Sequence, residues 1–175
     1  MNAAMAVGVW QRLDQAGRNL VPFSTTVAAM LIGMMPLQLP DYSFVAPPLT
    51  LMSIYYWAIY RPDLLRPLLA FGVGVLQDLL GGSPLGMSAL VYVLAYWLVL
   101  TQRRYFLGNS FWFLWLGFAL VAVGAGAVQW VAYSLMTAHL VGPGNVVAQA
   151  LLAIVLFPLP AWCLSKLHRS LLSTN

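Results

Sequence analysis

The sequence is poor in charged residues and contains no glutamate. Of its 175 residues, eight are Lys or Arg and four are Asp, so charged residues make up 7% and the formal net charge is +4. Hydrophobic residues make up 62%, whereas a typical soluble domain has about 25% charged and about 45–50% apolar residues. A soluble fold would have too few polar side chains for its surface, and a disordered chain would lack these aliphatic and aromatic residues. The composition therefore predicts an integral membrane protein.

Cysteine is scarce as well, because Cys163 is the only one. A single cysteine excludes an intramolecular disulfide and a redox mechanism that uses two paired thiols. A cleavable signal peptide is not expected either. The first apolar run, 20–39, is long enough to span a membrane, and no small-residue cleavage pattern follows it before Pro40-Asp41.

The positions of the cations predict the topology. The Lys and Arg residues occur as four pairs: Arg12/Arg18, Arg61/Arg66, Arg103/Arg104 and Lys166/Arg169. The stretches between these pairs contain no Lys or Arg and at most one Asp each. A transmembrane helix needs about 20 mainly apolar residues, so each stretch is too long for one span and too short for four. Because Lys and Arg beside a span stay in the cytoplasm, each stretch must cross the membrane and return.

The predicted fold is an all-α integral membrane protein with six transmembrane helices in three hairpins and with both termini in the cytoplasm. Residues 1–19 are predicted to be a cytoplasmic tail, either an amphipathic helix on the membrane surface or a frayed segment. Residues 20–166 are predicted to form a single six-helix membrane domain, and residues 167–175 a cytoplasmic C-terminal tail. Since topology explains the spread of the cations, no nucleic-acid partner is expected.

Prolines predict where the helices of the first half begin. The second helix should begin near Pro47 or Pro48 and end in the aromatic run 55–60, which is typical of a belt at the membrane interface. Pro62 should lie in the first turn of the third helix.

Prolines mark the later helices too. Ser83 and Pro84 should start the fourth helix as its cap and its first residue. The sixth helix, about 145–165, should be kinked or shortened at its inner end by Pro158.

Asp78 is the only carboxylate within a predicted span. An ionisable group at membrane depth is costly and suggests a function, but Asp78 lies only about one turn before Gly81, near the outer interface. There its carboxylate can accept hydrogen bonds from backbone N–H groups of the 81–83 turn or of the N-terminus of the fourth helix. A structural role is therefore the preferred interpretation, and a role in transport is the alternative.

Four glutamines lie within or at the ends of the predicted spans: Gln38, Gln77, Gln129 and Gln149. Glutamine side chains can hydrogen-bond neighbouring helices within a membrane, and this is the preferred interpretation. A polar pocket for a small ligand, which needs only a few convergent polar groups, is the alternative.

No catalytic or metal-binding set can be assembled from the sequence. His139 and His168 fall on opposite sides of the membrane in the predicted topology, and Cys163 lies near the inner end of the last helix. A metal site or a nucleophile–base pair needs such groups together, and a proton relay needs a chain of acidic or His residues. The sequence predicts no enzymatic activity, no cofactor and no metal.

The hairpin of the third and fourth helices carries a recognisable motif. Residues 72–86 read GVGVLQDLLGGSPLG, which resembles the signature of the rod shape-determining membrane protein family MreD. In that family a glycine-containing span leads to Asp-Leu-Leu or Asp-Leu-Ile, then Ser-Gly-Ser-x-Leu-Gly and an apolar helix. By this resemblance, a structural motif or possible partner contact is expected at Asp78, Gly81, Ser83, Pro84 and Gly86.

A second part of the resemblance lies upstream. Arg61, Pro62 and Asp63 look like the inner turn of the family and are expected to form a structural or partner-contact element as well. The resemblance covers about residues 45–100, and the length and hydropathy of the whole chain are compatible with it.

The resemblance implies a component of the bacterial cell-elongation machinery in the inner (cytoplasmic) membrane. Members of the family accompany the bitopic protein MreC and the actin-like MreB, together with the glycosyltransferase RodA and its class B transpeptidase. The complex directs peptidoglycan synthesis along the side wall. The six-helix fold of the family is similar to that of the substrate-binding S components of energy-coupling-factor transporters.

Two functions therefore stay open. The first is a non-enzymatic scaffold that binds helices of elongation proteins, with candidate contacts at Phe111, Trp112, Phe113 and Trp115, although anchoring in lipid explains such a cluster at least as well. The second is a small-molecule-binding transporter subunit. Tight packing at the outer side would favour the scaffold, whereas an outward-facing polar pocket would favour the transporter subunit.

Overall fold

A computed structural model describes residues 20–35, 47–107, 111–137 and 144–172. Within these ranges the chain forms seven helices and no strand, so the predicted all-helical class is confirmed for them. The predicted N-terminal tail, Gln38 and His139 lie outside the described residues. The helices are α1 Leu20–Met34, α2 Leu49–Tyr60, α3 Pro67–Gly81, α4 Met87–Leu107, α5 Phe111–Thr137, α6 Gly144–Leu156 and α7 Pro158–Leu172.

The third helix begins later than the sequence predicts. It starts at Pro67, and the prediction that Pro62 lies in its first turn is wrong. Arg66 is extended, with φ −72° and ψ 157°, because a residue before proline is pushed out of the helical region. The segment before it forms a separate turn, in which the N–H groups of Leu64 and Leu65 donate to the carbonyl of Arg61 at 3.2 and 3.3 Å.

The fourth helix also begins later. It starts at Met87, so the prediction that Ser83 caps it and that Pro84 is its first residue is wrong. Gly86 has a φ of +94°, a conformation that cannot belong to a right-handed helix and that favours glycine. The carbonyl of Pro84 instead accepts the N–H of Met87 at 3.2 Å in a turn that precedes the helix.

The predicted kink in the last helix is confirmed. The chain bends by 45° between α6 and α7, and Pro158 is the first residue of α7. Proline lacks an N–H and its ring clashes with the preceding turn, so it ends one helix and starts another. The domain boundary predicted at residue 166 falls inside α7, which continues to Leu172.

Helix α2 forms the centre of the bundle. Ten of its residues, from Thr50 to Ile59, are buried, because α4, α5 and α7 pack against it. The aromatic run was predicted to form a belt at the membrane interface, and this is wrong for Tyr55 and Trp57, which are 1% and 0% exposed. Their polar atoms are paired as burial requires: the Tyr55 hydroxyl donates to the carbonyl of Leu114 at 2.8 Å.

Helix α1 is attached to α2 by side-chain hydrogen bonds. The hydroxyl oxygens of Thr26 and Ser53 lie 3.0 Å apart. The indole N–H of Trp57 donates to the hydroxyl of Thr25, also at 3.0 Å. Small hydroxyl side chains of this kind hold adjacent helices together where water is scarce.

All six described cations lie at one end of the bundle, where α2 ends and α3 begins, which we call the basic end: Arg61, Arg66, Arg103, Arg104, Lys166 and Arg169. Cross-helix contacts bring their segments together. The Nε–H of Arg103 donates to the carbonyl of Ile59 at 2.7 Å, which supplies a cap for α2 from α4. The hydroxyl of Tyr96 donates to the carbonyl of Pro62 at 3.2 Å.

His168 joins α7 to α2 at the same end. Its ring stacks on Trp57 at a centroid distance of 5.7 Å and meets Tyr56 and Tyr60 edge-on. The imidazole packs there as an aromatic ring.

Helix α5 is long, apolar and largely uncovered by protein. Phe111–Met136 is long and apolar enough to cross a membrane, yet only 22% of its most apolar window is buried. A helix that is hydrophobic all round belongs in a large core or in a membrane, and this one lacks the cover of a core. The pair α6 and α7 meets the same criterion as one bent span, whereas the other described helices do not meet it.

Helices α3 and α4 approach each other closely at Gly74. A Cβ placed on Gly74, which is buried, would overlap the backbone atoms of Ala89 in α4. A helix pair can come this close only where one partner has no side chain. Gly72, two residues earlier on α3, has no atom within 4 Å of an added Cβ.

These two glycines give a matched test of the α3–α4 contact. Gly74→Ala is expected to lower stability by the ~1–3 kcal/mol typical of overpacking. Gly72→Ala is expected to be neutral or stabilising, since alanine is favoured over glycine within a helix by about 1 kcal/mol. The measurement is the midpoint of thermal unfolding of the purified chain in detergent, and equal midpoints for the two variants would contradict the contact.

Candidate functional site at the α3–α4 hairpin

The carboxylate of Asp78 connects the end of α3 to the beginning of α4. Asp78 is 1% exposed. Its Oδ2 accepts the N–H of Gly86 at 2.9 Å, and both of its oxygens accept the N–H of Ser88 at 3.1 Å. The N–H of Ser88 belongs to the first turn of α4 and that of Gly86 directly precedes it. N–H groups at a helix start have no partner within the helix and form the positive end of the helix dipole. Of the two acceptor roles that the sequence left open, the geometry shows the one at the N-terminus of the fourth helix.

The turn between the two helices requires glycine twice. Gly82 ends α3 in the left-handed conformation with φ +67°, and Gly86 precedes α4 with φ +94°. Both positions let the chain reverse within a few residues, so that the backbone N–H of Gly86 reaches Asp78. The tip of the turn is exposed at Ser83 and at Leu85, whose side chain is 68% exposed.

Gln77 ties three helices together next to Asp78. Its Oε1 accepts the hydroxyl of Thr50 in α2 at 2.9 Å and the hydroxyl of Tyr92 in α4 at 2.8 Å. The preferred interpretation of the glutamines as links between helices therefore describes Gln77 well. Its amide nitrogen has no hydrogen-bond partner among the described residues.

A partly open cavity of about 110 Å³ lies beside this network, at the end of the bundle that holds the α3–α4 turn, which we call the turn end. Six helices contribute to its wall. Three of the glutamines singled out in the sequence, Gln77, Gln129 and Gln149, line it together. The turn end is therefore not closely packed throughout.

The eight residues expected from the motif fall into two separate groups. Asp78, Gly81, Ser83, Pro84 and Gly86 are at the turn end, and Arg61, Pro62 and Asp63 are at the basic end. The structure does not bring the two groups into one site. Both are attached to α4, since Asp78 holds its first turn and the carbonyl of Pro62 accepts a hydrogen bond from Tyr96.

The aromatic cluster at the start of α5 also divides. Phe111, Trp112 and Phe113 are 52%, 67% and 55% exposed. Trp115 turns inward instead, and its indole N–H donates to the carbonyl of Ile154 at 2.9 Å. We call the three exposed residues the aromatic patch. It lies at the basic end, because α5 begins shortly after α4 ends there.

The polar groups at the hairpin can hydrogen-bond a ligand or support the start of a helix. Both oxygens of Asp78 are engaged by backbone N–H groups, which stabilises a carboxylate as an acceptor. In the described ranges, no three His, Cys, Asp or Glu side chains come together as metal ligands would. The polar side chains of the cavity wall are amides and hydroxyls, and among the described lining residues there is no His, Lys or carboxylate to activate a hydroxyl as a nucleophile.

Sequence reasoning missed the partners of the motif. Thr50 and Tyr92 were not singled out, although they hold Gln77 in place. Ala89 was missed as well, although it sets the distance between α3 and α4. Polar atoms on otherwise apolar helices are a signal for Thr50 and Tyr92, whereas no pattern in the sequence marks Ala89.

The Asp78 interaction predicts a specific loss of stability. Asp78→Asn should lower the free energy of unfolding by about 1–3 kcal/mol. The variant loses the negative charge and presents a neutral amide to the two N–H donors. Asp63→Asn removes a carboxylate that is exposed at the other end and should leave stability unchanged. Chemical or thermal unfolding in detergent measures both. If Asp78→Asn unfolded like the unsubstituted chain, the carboxylate would not be the support of α4.

The comparison with known families gives one match. The family model described as rod shape-determining protein MreD matches residues 14–167. No curated protein and no solved structure matches the chain.

Proposed function

The chain belongs to the rod shape-determining protein MreD family and so has a role in rod shape determination, and from this premise we propose that it is a non-enzymatic scaffold in the bacterial cytoplasmic membrane. In this proposal it supports side-wall peptidoglycan synthesis by holding other membrane proteins of the elongation machinery. One observation carries the proposal: only 22% of the most apolar window of the long helix α5 is buried inside the protein. Such a surface can be covered only by lipid or by other apolar helices.

We propose six transmembrane segments, of which α6 and α7 together form the last, with both termini in the cytoplasm. The gathering of the described cations at the basic end supports this orientation. The 12 residues of α2 extend only about 18 Å, at 1.5 Å per residue, which is less than the hydrocarbon thickness of about 30 Å. A short helix is tolerable here because α2 is covered by protein and does not have to match the lipid.

Cysteine labelling tests the orientation. Cys163 is the only cysteine and is exposed, so Cys163→Ala gives a background without thiols. In that background, Ser83→Cys at the turn end should react with a membrane-impermeant maleimide in intact spheroplasts. Ser170→Cys at the basic end should react only after permeabilisation. The reverse pattern, or labelling of both residues from outside, would contradict the proposed topology.

The aromatic patch is a surface suited to a partner helix. The three residues of the aromatic patch are exposed at the start of α5. Trp is enriched among the interface residues that contribute most of the binding energy. We propose that the first partner is the bitopic protein MreC. RodA, its class B transpeptidase and MreB then join directly or through MreC.

A second candidate function is a small-molecule-binding transporter subunit resembling an S component. The polar cavity at the turn end favours it, since three glutamine side chains line that cavity. The match to a shape-determining family favours the scaffold. The two candidates differ in the partner they require, because a transporter subunit needs an ATPase module.

Affinity purification from native membranes distinguishes the two candidates. The full chain should recover MreC, and Trp112→Ala should reduce that recovery about tenfold or more, as expected for a binding hot spot of about 1.4 kcal/mol or more. Trp97→Ala is the matched control, because Trp97 in α4 is 66% exposed, nearly the same as Trp112 at 67%.

Three results would speak against parts of this proposal. Recovery of an ATPase module without MreC would contradict the scaffold. If neither substitution changed the recovery of MreC, the aromatic patch would contact lipid only. Equal losses for Trp112→Ala and Trp97→Ala would mean that the contact is not specific to α5.

A further inference from the structure

The cavity at the turn end has the composition of a binding site. We propose that it binds a small neutral molecule that presents hydrogen-bonding groups to Gln77 and Gln129 and a compact apolar body to the apolar part of the wall. The proposal is independent of the scaffold and of its partners.

The absence of charge in the wall indicates a neutral ligand. Among the described residues that line the cavity, no side chain is charged. An ionised ligand would lose its hydration there without gaining a counter-charge, which costs several kcal/mol or more. Asp78, whose chain neighbour Gln77 and hydrogen-bond partner Ser88 line the cavity, has both oxygens occupied by Gly86 and Ser88.

Two carboxamides have hydrogen-bonding capacity to spare. Gln77 is held in a fixed orientation because its Oε1 accepts two hydroxyl groups, and this leaves both N–H bonds of its amide nitrogen without a partner among the described residues. The carboxamide of Gln129 likewise makes no hydrogen bond to any described residue. Neither side chain is fully buried, so water can bond these groups in the absence of a ligand, and a ligand that displaces that water must supply hydrogen bonds in its place.

Another part of the wall is apolar and adaptable. It includes Met30 and Met34 from α1, Val91 from α4 and Val146 from α6. Methionine side chains are flexible and polarizable and fill irregular gaps around different shapes. The site therefore combines amide groups, which can orient a polar group, with methionine side chains, which can accommodate a compact apolar group.

The volume limits the ligand. About 110 Å³ exceeds by several-fold the roughly 10–15 Å³ that one water requires, and it approaches the roughly 150 Å³ of a cavity that binds benzene. It is well below the roughly 300–1,000 Å³ of sites for larger cofactors and drugs. A single ring or a short branched chain with one amide or hydroxyl group fits within this volume, whereas a vitamin-sized molecule or a phospholipid headgroup would extend beyond it.

Benzamide is a suitable probe, since it combines a ring of benzene size with one neutral carboxamide that can pair with a glutamine amide. Binding of radiolabelled benzamide to the full chain in nanodiscs is measured by equilibrium dialysis. Gln129→Met keeps the length of the side chain and removes its hydrogen-bonding groups, and it should weaken binding at least about tenfold. Gln102→Met, the same change at an exposed position of α4 near the basic end, should bind like the unsubstituted chain.

A second variant shows whether benzamide binds in the cavity itself. Ala150→Leu enlarges a side chain in the cavity wall and should abolish binding while leaving every glutamine in place. The thermal midpoint of each variant is measured in parallel, and only variants that unfold like the unsubstituted chain are compared.

Two outcomes would overturn the proposal. Equal benzamide retention by all four proteins would mean partition into lipid. An absence of saturable binding to the unsubstituted chain would mean that the cavity holds only water. Failure to recover MreC would leave this inference unaffected, because the two experiments measure different surfaces.

Discussion

A single carboxylate holds the start of α4. In a membrane, a backbone N–H at a helix terminus has no water to bond, so each helix start must be satisfied by the protein itself. Asp78 supplies that bond for α4 from the neighbouring helix. Helix α4 also packs against α2 and α5. The place where α4 begins therefore affects the packing around α2 and the surface that α5 exposes. The motif at the hairpin is thus an element on which distant parts of the bundle depend.

The bundle combines a central helix covered by protein with a peripheral helix covered by very little. Helix α2 is buried on all sides and joined to α1, α3 and α5 through hydroxyl, indole and amide groups. Helix α5 presents most of its apolar surface outward. This distribution suits a protein that acts by holding neighbours in lipid, since the internal bonds keep the bundle in one shape while the outer surface stays available.

Sequence reasoning succeeded where one local pattern decided the outcome. The hairpin, the support from Asp78 and the break at Pro158 all follow from a residue type at a fixed distance from a turn. It failed where two local rules competed. Ser83-Pro84 is a good helix start, but Gly86 needs a left-handed conformation, and the helix can begin only after it. Likewise, Tyr55 and Trp57 match an interfacial belt, yet only the packing of neighbouring helices shows that they are buried. The convergence of Gln77, Gln129 and Gln149 on one cavity depends on the rotation of three helices, which hydropathy does not report.

The contact between Gly74 and Ala89 also determines how the hairpin can tolerate change. In most helix pairs, a larger side chain on one helix can be compensated by a smaller one on the other. Here the obstacle is the backbone of α4 itself, so trimming Ala89 to glycine would not restore the space that an added Cβ on Gly74 takes. Residue 74 is therefore restricted to glycine by a neighbour whose own side chain hardly matters, and a second substitution can restore the fit only by moving an entire helix.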